Sequence, residues 1–311
     1  MRFTIVFTGL LLLACGATAA DNSTYAFLRN DASARAAALG GSSMSIAGDP
    51  NGIFVNPAII GTISNRQISF GFFKNITDIN AGNASFGQQI SDIGWVGAGV
   101  QYVNYGSFDR TDELDNKLGT FSASDLAVLL NYSNVLVENL TYGVNAKFIY
   151  STIADYSSTA LAVDLGFYYT VPDKLLSFGV SAVNMGRQLS TYSATRETLP
   201  FSVSVGASKQ LEHLPLLLSL SFHNLNFSDG SFVDRFKDFS VGGEFTLSQY
   251  AKLRVGYNNQ RRQDLQLGTS AGLAGFSIGG GILISGYTVD YAFNSFGAIG
   301  ATHRVSVSTS F

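Results

Sequence analysis

From about Arg66 to Phe311 the chain reads as one continuous series of β-strands, in segments longer than soluble strands usually are. Residues 121–132 (FSASDLAVLLNY), 140–150 (LTYGVNAKFIY) and 161–169 (LAVDLGFYY) alternate apolar and polar side chains with period two. Each is close to the roughly nine to eleven residues that a tilted strand needs to cross a bilayer. One face of each is apolar, while the other carries Ser, Asn, Lys147 or Asp164. In a soluble sandwich that polar face would meet water; in a membrane barrel it faces the lumen.

The pattern predicts about fourteen strands, near 66–74, 79–90, 94–106, 119–134, 139–154, 157–171, 175–185, 200–211, 215–226, 237–248, 251–260, 271–284, 287–296 and 302–311. Connections after even-numbered strands are tight, and most of those after odd-numbered strands are longer, with loops at 107–118, 186–199, 227–236, 261–270 and 297–301. Short turns at one end and long loops at the other is the asymmetry of outer-membrane barrels, which also use even strand numbers. The last strand alternates strictly and ends on Phe311, an aromatic carboxyl terminus common in such barrels. The fold class expected is therefore all-β, a transmembrane antiparallel barrel.

How such a chain reaches an outer membrane is suggested by residues 1–20. Arg2, an apolar run over 3–14 and the small residues 17–20 read as an export signal, too short to span a membrane as a helix. Cys15, the only cysteine, loosely matches a lipoprotein processing site; beyond it no disulfide or thiolate metal site is possible. A formal charge of -3 leaves no basic footprint for nucleic acid.

Residues 21–65 differ from the rest. An Ala-rich run at 32–39, able to form about two helical turns, is followed by turn chemistry and by Asn56-Pro57-Ala58. The expectation is a small helical plug filling the lumen of a barrel formed by 66–311. Arg35 is the one charge in the Ala-rich run, and a buried guanidinium requires a partner. Asp125, Asp164 and Glu244, on predicted lumen-facing strand positions, are the candidates.

Enzymatic chemistry finds little support. His213, His223 and His303 fall in different strands or turns without a carboxylate at triad or ligand spacing. The glycines of 275–281 (GFSIGGG) lack the Lys-Ser/Thr and helix of a phosphate loop, so they read as a place where another backbone approaches the wall. Asp112, Glu113 and Asp115 form an acidic loop that could hold a divalent ion through oxygen ligands but reads better as a solvated loop. Neither cofactor nor metal is expected. Arg261 and Arg262, at a strand-to-loop junction, could hold lipopolysaccharide phosphates or a partner's carboxylates. With Arg187 and Arg196 and the acidic loop, they outline a docking rim over 107–118, 186–199 and 261–270.

The motif SARAAALGG at 33–41, together with Asn56-Pro57-Ala58, resembles the amino-terminal plug of the FadL-like outer-membrane family, and more narrowly its secretion-associated PorV/PorQ branch. Further matching pieces run in order along the chain: Tyr25-x-Phe27-Leu28, QYVNYGSF at 101–108, GTFSASD at 119–125, Leu199-Pro200-Phe201, SKQLEH at 208–213 and GYNNQRR at 256–262. The resemblance implies a fourteen-stranded barrel of the type IX secretion system of Bacteroidota. Such a barrel would be a non-enzymatic anchor that holds a PorZ-like surface protein beside the PorU sortase-like protease and the PorV barrel. A FadL-type channel for hydrophobic small molecules is the alternative; it requires an apolar pocket near the plug and a lateral opening in the wall, for example at a strand kink.

Overall fold

The computed structural model describes residues 24–74, 79–226, 232–265 and 272–311. The expected leader, with Cys15, lies outside them. Fourteen antiparallel strands close into a barrel in simple sequential order. They are β1 (Gln67–Lys74), β2 (Asn80–Ile90), β3 (Gly94–Thr111), β4 (Lys117–Val137), β5 (Leu140–Ile153), β6 (Tyr156–Val171) and β7 (Leu176–Ser190), then β8 (Ser202–Gln210), β9 (Leu216–Phe222), β10 (Phe239–Ser248), β11 (Ala251–Asn258), β12 (Phe276–Ile284), β13 (Tyr287–Ser295) and β14 (Ala301–Ser310). Closure runs between the chain's two ends, with Gln67 opposite Ser310. The Phe311 amide donates to the Arg66 carbonyl, and the Arg66 guanidinium lies over the Phe311 ring.

Alternation sets what faces where. Phe72, Leu130, Phe148, Leu161 and Ile282 point outward and are exposed, forming an apolar belt suited to lipid. Inward positions are buried and mixed, as with Asn131, Asn145, Lys147 and Ile149. The wall is not of even height. β3 to β7 are 14 to 21 residues long, whereas β8 to β14 have 7 to 10. The expected loop over 107–118 is therefore mostly strand, with a turn left at 112–116. Phe108 stacks on Phe121, and Lys117–Asp109 and Arg110–Asp155 ion pairs clasp the extension. β7 likewise runs into the expected 186–199 loop. Part of the expected 261–270 loop is helix α2 (Asn259–Asp264), and residues 266–271 and 227–231 lie outside the described residues.

The amino-terminal segment occupies the lumen. Helix α1 (Ala34–Ala38) begins at Ser33, whose hydroxyl accepts the Ala36 amide, and stops where Gly40 and Gly41 take positive φ. Five residues cannot hold a helix in isolation. The wall holds it instead: Asn294 donates to the Ala37 carbonyl, and Ala38 sits on Gly279 of β12. Two 3-10 turns, Pro50–Phe54 and Pro57–Thr62, complete the plug, capped by Asp49 and Asn56.

Plug and wall meet backbone to backbone. Three cross-strand glycine pairs, Gly143 with Gly166, Gly179 with Gly206 and Gly242 with Gly256, form seats on the inner wall. They receive Asn56-Pro57, Met44 and Leu39-Gly40 respectively; a Cβ on Gly256 would overlap the Gly40 nitrogen, and one on Gly143 the Pro57 carbonyl. The glycines noted in the sequence at 275–281 are only the edge of this set.

Candidate functional site

Lumenal side chains divide into three neighbourhoods fixed by strand register. On β10, β11 and β13, Glu244, Arg254 and Asp290 are inward-facing and buried. Arg35 of α1 reaches Glu244 in bidentate fashion, Nε to Oε2 at 2.8 Å and Nη2 to Oε1 at 2.9 Å. Arg254 donates from Nε to Glu244 at 2.7 Å and from Nη1 to Asp290 at 2.6 Å, and Lys252 adds 3.0 Å to Glu244. Of the three carboxylates proposed from sequence for Arg35, Glu244 is the one it binds. Sequence reasoning missed Arg254, Asp290 and Lys252, although the first two occupy inward positions of their strands.

Asp164 serves another role. It sits where the β6–β7 ladder shifts register, and its carboxylate accepts the backbone amide of Asn184 at 2.7 Å, repairing the break. It also holds Lys147 at 3.0 Å and Asn145 at 2.9 Å, both buried. Asn145 in turn donates to the Ile53 carbonyl of the plug at 2.8 Å. Asp125 faces the lumen farther toward the long-loop end, bonded by Tyr105 at 2.7 Å and by Ser151.

Asn56 is fully buried and is the deepest fixing point of the plug. Its amide donates to the Met44 carbonyl at 3.1 Å and the Phe167 carbonyl at 3.0 Å, and its oxygen accepts the Ala58 amide. The Pro57 carbonyl accepts Ser133 at 2.9 Å and Asn131 at 3.2 Å. Asn56→Ala removes the donor to the Met44 and Phe167 carbonyls and should cost about 1–3 kcal/mol. A lowered urea midpoint with faster amide exchange over 44–62 checks it; an unchanged plug would show that the glycine seats alone retain it.

Toward the long-loop end the lumen also holds an apolar cluster. Tyr25, Phe27 and Leu28 pack against Val103, Ile149 and Leu199, and the Tyr25 hydroxyl bonds Ser158. Beside this cluster the wall is interrupted. β7 pairs with β8 only as far as Val183 opposite Ser202, while the stretch from Met185 to Ser190 pairs on the β6 side alone among the described residues. Residues 191–201 leave the wall; 193–196 are exposed, and the segment then turns inward, burying Leu199 and Pro200. Asn184, at φ 61°, ties this inward turn by donating to the Pro200 carbonyl at 3.1 Å.

The residues assigned to the docking rim separate. Glu113 and Asp115 are exposed, while Asp112 closes its own turn by accepting from Leu114 and Asn116. Hydrogen bonds from the Asn116 side chain and backbone hold the Asp112 carboxyl below its usual range. Arg187 and Arg196 are exposed. Arg261 instead turns inward onto plug residue Asp31 at 3.1 Å and lies over the Phe296 ring, because α2 folds its start back over the lumen. Its neighbour Arg262 packs beside Gly275 and is half-buried.

At the short-turn end a cavity of about 330 Å³ opens beneath Arg35, walled by Asp49, Lys252, Asp290 and Ser308 among others.

No family model matches the chain, and no curated protein does. Solved structures do. The toluene transporter TbuX of Ralstonia pickettii superposes with a TM-score of 0.61 at 13% identity, over 90% of this chain and 98% of that one. The toluene transporter TodX of P. putida gives 0.60 at 13% identity, over 91% and 98%. A FadL homologue from Pseudomonas aeruginosa gives 0.55 at 12% identity, over 95% and 100%. The chain therefore shares the overall fold of these barrels.

Proposed function

We propose that the protein is an outer-membrane channel for small hydrophobic molecules, with its short turns periplasmic and its long loops at the cell surface. The observation that carries this reading is the interrupted β7–β8 seam beside an apolar cluster inside the lumen. Those are the two features a hydrophobic solute needs, an apolar site and a passage between lumen and lipid. Kinship of fold with barrels described as toluene transporters supports it. The chemistry is binding and release, with no bond made or broken.

Uptake tests it. Cells with an intact lipopolysaccharide layer that express the barrel should accumulate a labelled monoaromatic hydrocarbon several-fold faster than cells with an empty vector. Leu199→Trp, which enlarges a buried apolar side chain beside the seam, should abolish most of the gain. Equal uptake with and without the barrel would sink the channel reading.

The anchor of a type IX attachment complex is a second reading, favoured by the raised β3–β7 flank. On that reading Asp112, Glu113, Asp115, Arg187 and Arg196 would face a PorZ-like surface protein near PorU and PorV, with Arg262 toward lipopolysaccharide. Shortening β3 and β4 by deletion of 107–118 should then release that partner from the cell surface while the barrel remains; retention of the partner would count against it.

A further inference from the structure

On the outer face of β14, β1, β2 and β3, alternation and register lay the side chains out in three rows. Val307, Phe70, Ala84 and Val100 form one row, and Val305, Phe72, Gly82 and Tyr102 the next, about 7 Å nearer the long-loop end. Across both rows β2 presents only Ala84 and Gly82, between exposed Phe70 and Phe72 on one side and exposed Val100 and Tyr102 on the other. A Cβ on Gly82 meets nothing closer than the Gly71 carbonyl at 3.5 Å, so an open apolar furrow runs along β2. The third row changes character: it is His303, Lys74, Asn80 and Asn104. Lys74 and His303 are exposed, and Lys74 makes no ion pair among the described residues. The Tyr291 hydroxyl lies 2.8 Å from His303 Nδ1. When it donates there, the neutral ring keeps its hydrogen on Nε2 and still offers a donor. No position in the three rows is acidic.

We propose that this strip is a seat for one phosphate-bearing lipid of the outer leaflet, a multiply acylated phosphoglycolipid of the lipid A type. Its phosphate meets Lys74 and His303, and one acyl chain lies along Gly82 and Ala84. The leaflet rests on the orientation given with the channel reading; the binding itself does not. Apolar surface alone would hold any lipid, and the whole belt supplies that. What sets this strip apart is a furrow headed by a cation, since a lysine and a ring N–H give phosphate oxygens charge-assisted bonds at the boundary of the hydrocarbon layer. Over β9 to β12 the same edge is built differently: Phe222, Phe239, Tyr257 and Phe276 stand ring against ring. A second outward glycine, Gly280, lies between Leu253 and Tyr291, but toward the long-loop end it is followed by Ile278 and Phe276 on its own strand and by Val255 and Tyr257 on β11. That notch has no cation at its head. Arg261, expected from the sequence to hold lipopolysaccharide phosphates, is turned inward to Asp31 and leaves that role open.

Native mass spectrometry of the purified full-length barrel in a mild non-ionic detergent tests the seat with three probes added separately: bisphosphorylated lipid A, the same lipid stripped of phosphate by a phosphatase, and inorganic phosphate. Wild type should carry one lipid A, bind the stripped lipid about tenfold more weakly, and show no bound inorganic phosphate. Lys74→Glu, which sets a like charge against the phosphate, and Gly82→Trp, which fills the furrow from an unobstructed position, should each weaken lipid A binding by about tenfold or more. Gly280→Trp is the matched control on the same lipid-facing side and should bind as wild type does; Lys74→Arg should keep the lipid. Folding is checked by heat-modifiable electrophoretic mobility, and Lys74→Gln serves if Lys74→Glu does not insert. Undiminished binding by Lys74→Glu, equal binding of the stripped lipid, or equal losses in Gly82→Trp and Gly280→Trp would overturn the seat and leave a general lipid annulus; inorganic phosphate bound as well as the lipid would overturn the role of the furrow. Because no hydrocarbon uptake is measured, loss of the seat with uptake intact would leave the channel standing, and a bound lipid without uptake would do the opposite.

Discussion

Gly256→Val should prevent the plug from seating. A side chain there meets the backbone of Leu39 and Gly40, which no rotamer change can relieve. Overpacking costs roughly 1–3 kcal/mol where side chains can shift, and a backbone obstacle places this site at or above the top of that range. Gly280→Val on the neighbouring strand is the control, since its nearest obstacle is a carbonyl at 3.4 Å and its strand neighbours across the pair, Leu253 and Tyr291, face outward and are exposed. The measurement is limited proteolysis of 24–65 in detergent, together with the urea midpoint. Rapid loss of the plug in Gly256→Val but not in Gly280→Val is expected; a protected plug in both would show that the seat is softer than its geometry.

Asp164→Ala should be the most damaging single change of a charged residue. It removes the acceptor of the Asn184 amide and the counter-charge of Lys147 together. Breaking a buried pair by removing one partner costs about 3–5 kcal/mol, because the other charge stays buried alone. Adding Lys147→Met should recover much of that loss, and what remains measures the ladder repair at Asn184. Denaturant titration of the four chains of this cycle gives both numbers. A double variant as unstable as Asp164→Ala alone would mean that charge pairing matters little and that the carboxylate acts chiefly through the backbone amide.

How far the sequence could be read depended on the range of the interaction involved. Strand number, alternation and the contrast between tight and long connections are local, and the fourteen-stranded barrel follows from them. Arg35 could be assigned a carboxylate partner because burial demands one, but three strands offered candidates, and only register and the tilt of the plug bring Glu244 within reach. Lengths at the long-loop end were misjudged where polar strand extensions, 107–111 and 117–118, look like loop in composition; Phe108 meets Phe121 across the hairpin. Arg261 looked like a rim residue because it opens a polar stretch, whereas α2 carries it back over the lumen to Asp31. The glycine seats were almost invisible. Each is a single small residue in its own strand, and the pairs appear only when neighbouring strands are set in register.

Those seats also bear on the order of assembly. A plug whose backbone meets the inner wall at seats on β5–β6, β7–β8 and β10–β11 enters more readily while the barrel is open than once it is shut. The β1–β14 junction joins residues from the two ends of the chain, so it can form last, after the intervening strands have curled around a segment that precedes them all in synthesis. The plug then acts as a mandrel: its width sets the circumference at which Gln67 meets Ser310. A chain that lacked it would have to find that circumference from strand pairing alone.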